Sequence, residues 1–188
     1  MDKSIDNYKD TYKSSDVGSK RRVFYAEASY TEDEIFAVKE VLENQRLFLM
    51  DGPKVHELEE KISSLFNKKY GLMVNSGSSA NLLGILSLKL KPGSKVITPA
   101  LTFSTTVSPL VQSNLIPYFV DVEKETLQIN VDSLKDIDLE NVSAICVPNL
   151  VGNVANWEMI YSFAKENNLK IIEDSADTIG YSYETSLK

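Results

Sequence analysis

The sequence predicts an α/β fold, a mainly parallel sheet covered by helices on both faces to give three αβα layers. Two observations carry this expectation. From Tyr70 onward, short apolar runs alternate with apolar residues at helical spacing, the rhythm of βαβ units. The runs are also short enough for strands, and breaks such as Lys91-Pro92-Gly93 and Asn168 separate them from the helical patterns.

In chain order, residues 1–22 are polar and rich in Lys, Asp and Ser, which predicts a loose tail. Val23 to Ala28 suits a short extended segment. Thr31-Glu32-Asp33-Glu34 has capping-box spacing, with Ile35, Val38 and Leu42 following on one helical face to about Asn44. Arg46 to Met50 forms an apolar connection. Gly52-Pro53 opens a second helix with proline at its first position, and Val55, Leu58, Ile62 and Leu65 form its stripe. The predicted strands are Tyr70–Val74, Lys95–Thr98, Pro117–Val122, Ser143–Val147 and Lys170–Ile172. Helical patterns cover Ser79–Leu88, with Ala80, Leu83 and Leu86 as the stripe and Leu82 and Ile85 beside them, then Thr105–Ser113, Val131–Ile137 and Trp157–Asn167. Residues 23 to 188 are expected to form the folded part, a length sufficient for one domain with its own core.

Composition narrows the partners. Apolar residues make up 43% and charged residues 25% of the 188, ordinary values for a globular protein. A net charge of −7 with no basic stripe argues against nucleic acid and anionic membrane. No apolar run reaches the roughly 18 residues of a membrane span, and the N-terminus lacks an apolar signal core. One cysteine, Cys146, excludes a disulfide framework and suits a reducing cytoplasm. It sits in an apolar run, as a small buried hydrophobe does. The single histidine, His56, lies on a charged helix face and reads as a surface residue.

The stretch Val74-Asn75-Ser76-Gly77-Ser78-Ser79-Ala80-Asn81 joins a predicted strand to a predicted helix through small residues alone. Free N–H groups of a first helical turn, with the helix dipole behind them, suit a phosphate there. An ordinary turn with serine as N-cap fits the same residues. Ligands of parallel sheets bind beyond the carboxyl ends of the strands. The informative residues are therefore Asn75–Asn81, Pro99–Thr105, Pro148–Asn153 and Glu173–Asp177.

A phosphate and Asp174 on one rim repel each other unless a cation lies between them. No His or Cys cluster suggests a transition metal, and a P-loop lysine is absent. An organic cation fits better: pyridoxal phosphate carries a phosphate at one end and a protonatable ring nitrogen at the other. Phe103 could lie on the ring face. Each piece also has a plainer use: Asp174 as a cap, Phe103 as core, Thr102, Ser104, Thr105 and Thr106 as turn residues.

These residues together resemble the fold-type-I pyridoxal-phosphate enzymes that act on nucleotide sugars, the DegT/DnrJ/StrS-type sugar aminotransferases and their 3-dehydratase relatives. The resemblance runs from about Tyr25 to the end. It rests on Asn75-Ser76-Gly77-Ser78-Ser79-Ala80-Asn81, Pro99-Ala100-Leu101-Thr102-Phe103, Leu115-Ile116-Pro117 with Val120-Asp121-Val122, and Ile172-Glu173-Asp174-Ser175-Ala176-Asp177 with Gly180. It implies that Gly77, Ser78 and Ser79 hold the cofactor phosphate. Phe103 stacks on the pyridine ring and Asp174 pairs with the ring nitrogen. Asp177 occupies the position that contacts the ring hydroxyl, usually Gln or His in the aminotransferases. That acid, the Ser76–Asn81 turn and Leu150-Val151-Gly152-Asn153 are more similar to the 3-dehydratase branch. That branch uses pyridoxamine phosphate to remove the C3 hydroxyl of a 4-keto-6-deoxy nucleotide sugar in lipopolysaccharide or polysaccharide biosynthesis. An aminotransferase forming an amino sugar is the alternative. A PLP-fold module that only binds or regulates is an alternative of another class.

The resemblance also implies a Schiff-base lysine, or a histidine base in its place, a few tens of residues beyond Asp174. Lys165, Lys170 and Lys188 do not match that position, so the catalytic residue is expected beyond Lys188. The sequence accordingly resembles an N-terminal part, inactive alone, of a homodimeric enzyme. Leu47, Phe48, Leu49 and Met50 would suit a dimer contact. A dinucleotide-binding Gly-x-Gly-x-x-Gly turn is not what Ser76–Ala80 supplies.

Overall fold

The computed structural model describes residues 28–44 and 49–182. The expected tail at 1–22, the extended segment at 23–27, Leu47, Phe48 and Lys188 lie outside these residues. The chain divides into two compact units, the first ending at His56 and the second beginning at Glu57.

In the first unit, helix α1 spans Glu32–Glu43. Its capping box forms as the spacing predicts: the Thr31 hydroxyl accepts from the Asp33 N–H at 3.2 Å, and the Thr31 N–H donates to Glu34 at 2.6 Å. That backbone bond holds the Glu34 carboxyl below the usual carboxylate range. Ile35, Val38 and Leu42 are exposed, as are Leu49 and Met50. Helix α2, Pro53–Leu65, begins at the boundary with proline at its first position.

The second unit contains a four-stranded sheet: β1 Lys95–Pro99, β2 Ile116–Val120, β3 Val142–Pro148 and β4 Lys170–Asp174. Every pairing is parallel, in the order β2-β1-β3-β4. Helices α3 (Gly77–Ser87), α4 (Ser104–Gln112) and α5 (Trp157–Glu166) supply the layers. Alternate strand residues face opposite ways. Val96, Ala144 and Cys146 meet Ile85 of α3 and Leu110 of α4 on one face. Ile97, Ile145 and Val147 meet Trp157, Ile160 and Ala164 of α5 on the other, with Val131 and Leu134 from a 3₁₀ helix. The expected three-layer αβα fold is therefore present.

Three local expectations change. Tyr70–Val74 pairs with no strand among the described residues. Tyr70 is 77% and Leu72 74% exposed. The segment instead lies against α2: a Cβ on Gly71 would stand 2.5 Å from the Glu59 carbonyl oxygen, and the Met73 N–H donates to the Glu59 carboxylate at 2.7 Å. Hydrogen bonding to a helix side chain has replaced a strand ladder. Val131–Asp136 is a 3₁₀ helix rather than α. On α3, Leu83 and Leu86 are exposed while Ile85 is buried. Ile85 instead packs with Val96, Leu110 and Ala144, while Gly84 lies beside Ile172 of β4, 3.6 Å from where a Cβ would stand.

Candidate functional site

From β1 the chain leaves through α4 towards β2, while from β3 it leaves through α5 towards β4. Connections thus diverge between β1 and β3, and such a divergence opens a crevice at the strands' carboxyl ends. Register aligns that rim: Pro99 pairs with Val120, and Pro148 with Asp174.

Helix α3 delivers the small-residue turn to the rim. The Ser76 hydroxyl caps it, accepting from the Ser79 N–H at 3.2 Å, and the Ser79 hydroxyl donates to Asn75 at 2.7 Å. The Ser79 and Ala80 N–H groups are therefore satisfied within the turn. Those of Gly77 and Ser78 have no protein acceptor among the described residues. A Cβ on Gly77 would meet nothing within 4 Å, so the space above the turn is open. Two outward N–H groups at a helix start, beneath open space, form a donor set for an anion.

Asp174 closes β4, and its side chain is on the α3 side of the sheet, like that of Ile172. Its Oδ2 accepts from the Asn81 amide at 2.9 Å, and its Oδ1 accepts from the Ala176 N–H at 3.2 Å. Asn81 lies one helical turn, roughly 5–6 Å, from Gly77 on the same helix face. The acid and the small-residue turn therefore share one rim and one face. Glu173 projects to the other face, where it accepts from Asn149 at 3.1 Å and from Ser175 at 2.8 Å. Burial raises the nearby Tyr161 phenol, and the Glu173 charge adds a smaller push.

Phe103 precedes α4 and is 66% exposed at the rim, so it is not a core residue. Asp177 accepts the Val151 N–H at 3.0 Å. Val151 is left-handed, φ 53°, an uncommon conformation for a β-branched residue. Its loop is held from below by buried Gln128, which accepts from the Leu150 N–H at 3.3 Å and donates to the Leu150 carbonyl at 3.0 Å.

Two polar residues were placed at this rim by the sequence but given no role of their own. Asn81 stands four residues before buried Ile85, so a polar amide on the sheet-facing stripe of α3 was the available signal. Asn149 is 3% exposed and accepts from the Ala155 N–H at 3.1 Å and the Trp157 indole at 2.8 Å. Its position just after a predicted strand places it at the rim, but nothing in the sequence marks these buried partners.

The sequence pattern of the DegT/DnrJ/EryC1/StrS aminotransferase family matches residues 28–186. GDP-4-keto-6-deoxy-D-mannose 3-dehydratase of Yersinia pseudotuberculosis is 37% identical over 82% of this chain and 40% of its own length. The 3-oxo-glucose-6-phosphate:glutamate aminotransferase of Bacillus subtilis is 31% identical over 79% of this chain and 33% of its own. Among solved structures, the E. coli GDP-4-keto-6-deoxy-D-mannose-3-dehydratase with bound hydrated PLP superposes with a TM-score of 0.79 at 32% identity, covering 87% of this chain and 43% of that one. The chain thus spans about two-fifths or less of the length of these relatives.

Proposed function

Because the chain belongs to the DegT/DnrJ/EryC1/StrS aminotransferase family, we propose that it forms the cofactor-holding part of a pyridoxal- or pyridoxamine-phosphate enzyme. Its substrate would be a 4-keto-6-deoxy nucleotide sugar, and its reaction loss of the C3 hydroxyl. The observation that carries this is the pairing of an anion-binding turn with an acid on one rim, joined through Asn81. The residues fit the cofactor's two ends: free N–H groups at Gly77 and Ser78 for phosphate, a carboxylate at Asp174 for a protonated ring nitrogen. When bound, the cofactor supplies an electron sink for a substrate carbanion.

In this proposal Gly77, Ser78 and Ser79 bind and orient the phosphate. Asp174 holds a proton on the ring nitrogen, where it favours charge flow into the ring. Phe103 covers the ring face and excludes water from it. Asp177 fixes the Leu150–Asn153 loop through Val151, and its other carboxylate oxygen is available to a ring hydroxyl. We extend the proposal to a homodimer of the full-length protein.

Dehydration is preferred because relatives named 3-dehydratases reach 37% identity. Transamination is the second reading, favoured by the aminotransferase at 31%. Product analysis of the full-length protein with a 4-keto-6-deoxy nucleotide sugar separates the two: a C3-deoxy ketosugar in one case, an amino sugar in the other. Asp174→Ala should abolish either product and weaken pyridoxamine phosphate binding. Unchanged turnover in that variant would refute the assignment.

A further inference from the structure

We propose that Asn81 is a positioning residue for Asp174, and that Pro109 creates the second anchor that fixes it. The inference rests on the cofactor reading above and deepens it.

Asp174 sits at the end of a strand, where its side chain has rotational freedom. Two donors limit that freedom. The Ala176 N–H reaches Oδ1 at 3.2 Å and the Asn81 amide reaches Oδ2 at 2.9 Å. The first is a local bond two residues along the chain, of the kind that any Asp makes in a turn. The second comes from another layer of the fold, 93 residues earlier in sequence. It ties the acid's direction to the helix that bears the small-residue turn.

A single bond would leave the Asn81 amide free to rotate. A second bond stops it: Asn81 Nδ2 also donates to the Thr105 carbonyl at 3.4 Å. In an uninterrupted helix that carbonyl would accept from the N–H four residues on. Residue 109 is Pro109, inside α4 and buried, and it has no N–H to give. The proline thus removes the helical donor to Thr105 and leaves the carbonyl to Asn81. Both neighbours of the amide are acceptors, so only its NH₂ edge can face them, and its two hydrogens serve one each. Asn81 therefore links β4, α3 and α4 at one atom. Its role is to hold the Asp174 carboxylate in a fixed direction, with both oxygens supported as an ionised acid needs.

The test uses the full-length protein with pyridoxamine phosphate, ¹⁵N-labelled at the ring nitrogen, and reads affinity and ring protonation by NMR. Asn81→Leu keeps the number and branching of the side-chain heavy atoms and removes the donor. It should bind the cofactor roughly tenfold more weakly. The pH at which bound cofactor loses its ring proton should fall by about one unit. Pro109→Ala returns an N–H to Thr105 and should give a smaller shift in the same direction. A folded Asn81→Leu protein with wild-type ring titration overturns the inference. Wild-type protein that fails to bind the cofactor overturns the cofactor reading and this inference with it. Wild-type binding with an unaltered Asn81→Leu titration overturns this inference alone.

A second measurement needs no change at position 81. In ¹⁵N-labelled protein, the Asn81 side-chain amide signal should be displaced by Asp174→Ala. An unmoved signal also overturns the proposal, even if Asn81→Leu fails to fold.

Discussion

Asn149→Ala tests how the rim is built. The Asn149 side chain supports two buried donors, the Ala155 N–H at 3.1 Å and the Trp157 indole N–H at 2.8 Å. Ala155 and Trp157 are 5% and 1% exposed, so water does not readily replace the lost acceptor. Each orphaned donor costs about 1–3 kcal/mol. The bonds to Glu173 and Ser175 lie nearer solvent and add little. The sum is roughly 2–6 kcal/mol, a large share of the roughly 5–15 kcal/mol that holds a domain together. Trp157 is the only tryptophan, so urea unfolding followed by its fluorescence reports on the affected group itself. Asn149→Asp provides the control. It keeps an acceptor for both donors but sets a second carboxylate beside Glu173. Its loss of stability should therefore shrink as added salt screens the two like charges. The Ala variant adds no charge there and should not recover with salt. A loss below about 1 kcal/mol in Asn149→Ala would refute the orphaned-donor account.

Three further outcomes are expected. Burial pushes the Cys146 thiol up to about 12, and the Asp174 charge adds to it; in the unfolded chain a thiol ionises near ~8.5. The unfolded state therefore loses its proton first, and stability should fall as pH rises from about 9 to 12, by up to ~1.4 kcal/mol per unit. Urea midpoints of Cys146→Ala should show a flatter profile; identical profiles would refute the linkage. Gly77→Ala should leave the thermal midpoint unchanged or slightly raised, because alanine suits a helix better and its Cβ meets nothing within 4 Å. Its affinity for pyridoxamine phosphate should nevertheless fall, and equal affinity would count against the phosphate site. Val151→Gly should stabilise by roughly 0.5–1 kcal/mol, because the left-handed backbone at φ 53° no longer carries a branched side chain. Destabilisation in thermal melts would show that the exposed valine makes a contact worth more than its strain.

Particular residues show what was legible in sequence. The strands β1 to β4 were, because each is a short apolar run between turn signals, and the central two, β1 and β3, are buried almost throughout. The Thr31 capping box and Pro53 were, because caps depend on a few adjacent residues. Tyr70–Val74 has the same apolar look as the strands and no ladder partner among the described residues. A run of apolar residues reports suitability for burial, whereas strand pairing depends on a second segment that local pattern does not specify. The rotation of α3 was hidden for a similar reason. Leu83 and Leu86 look equivalent to Ile85 in a periodicity, and the tie is broken by tertiary packing, where Ile85 joins Val96, Leu110 and Ala144.

The site divides along the same line. Gly77, Ser78, Ser79, Phe103 and Asp174 lie in stretches that follow predicted strands, whereas the role of Asp177 came only from the resemblance. The residues that hold them were harder to see, because their partners are distant in sequence. Asn81 meets Asp174 across 93 residues and Thr105 across 24. Pro109 acts still less directly, through the hydrogen bond it cannot make. In sequence it reads only as a fault in a helix. In three dimensions the same missing N–H leaves the Thr105 carbonyl to Asn81, and so constrains the direction of an acid on a different layer.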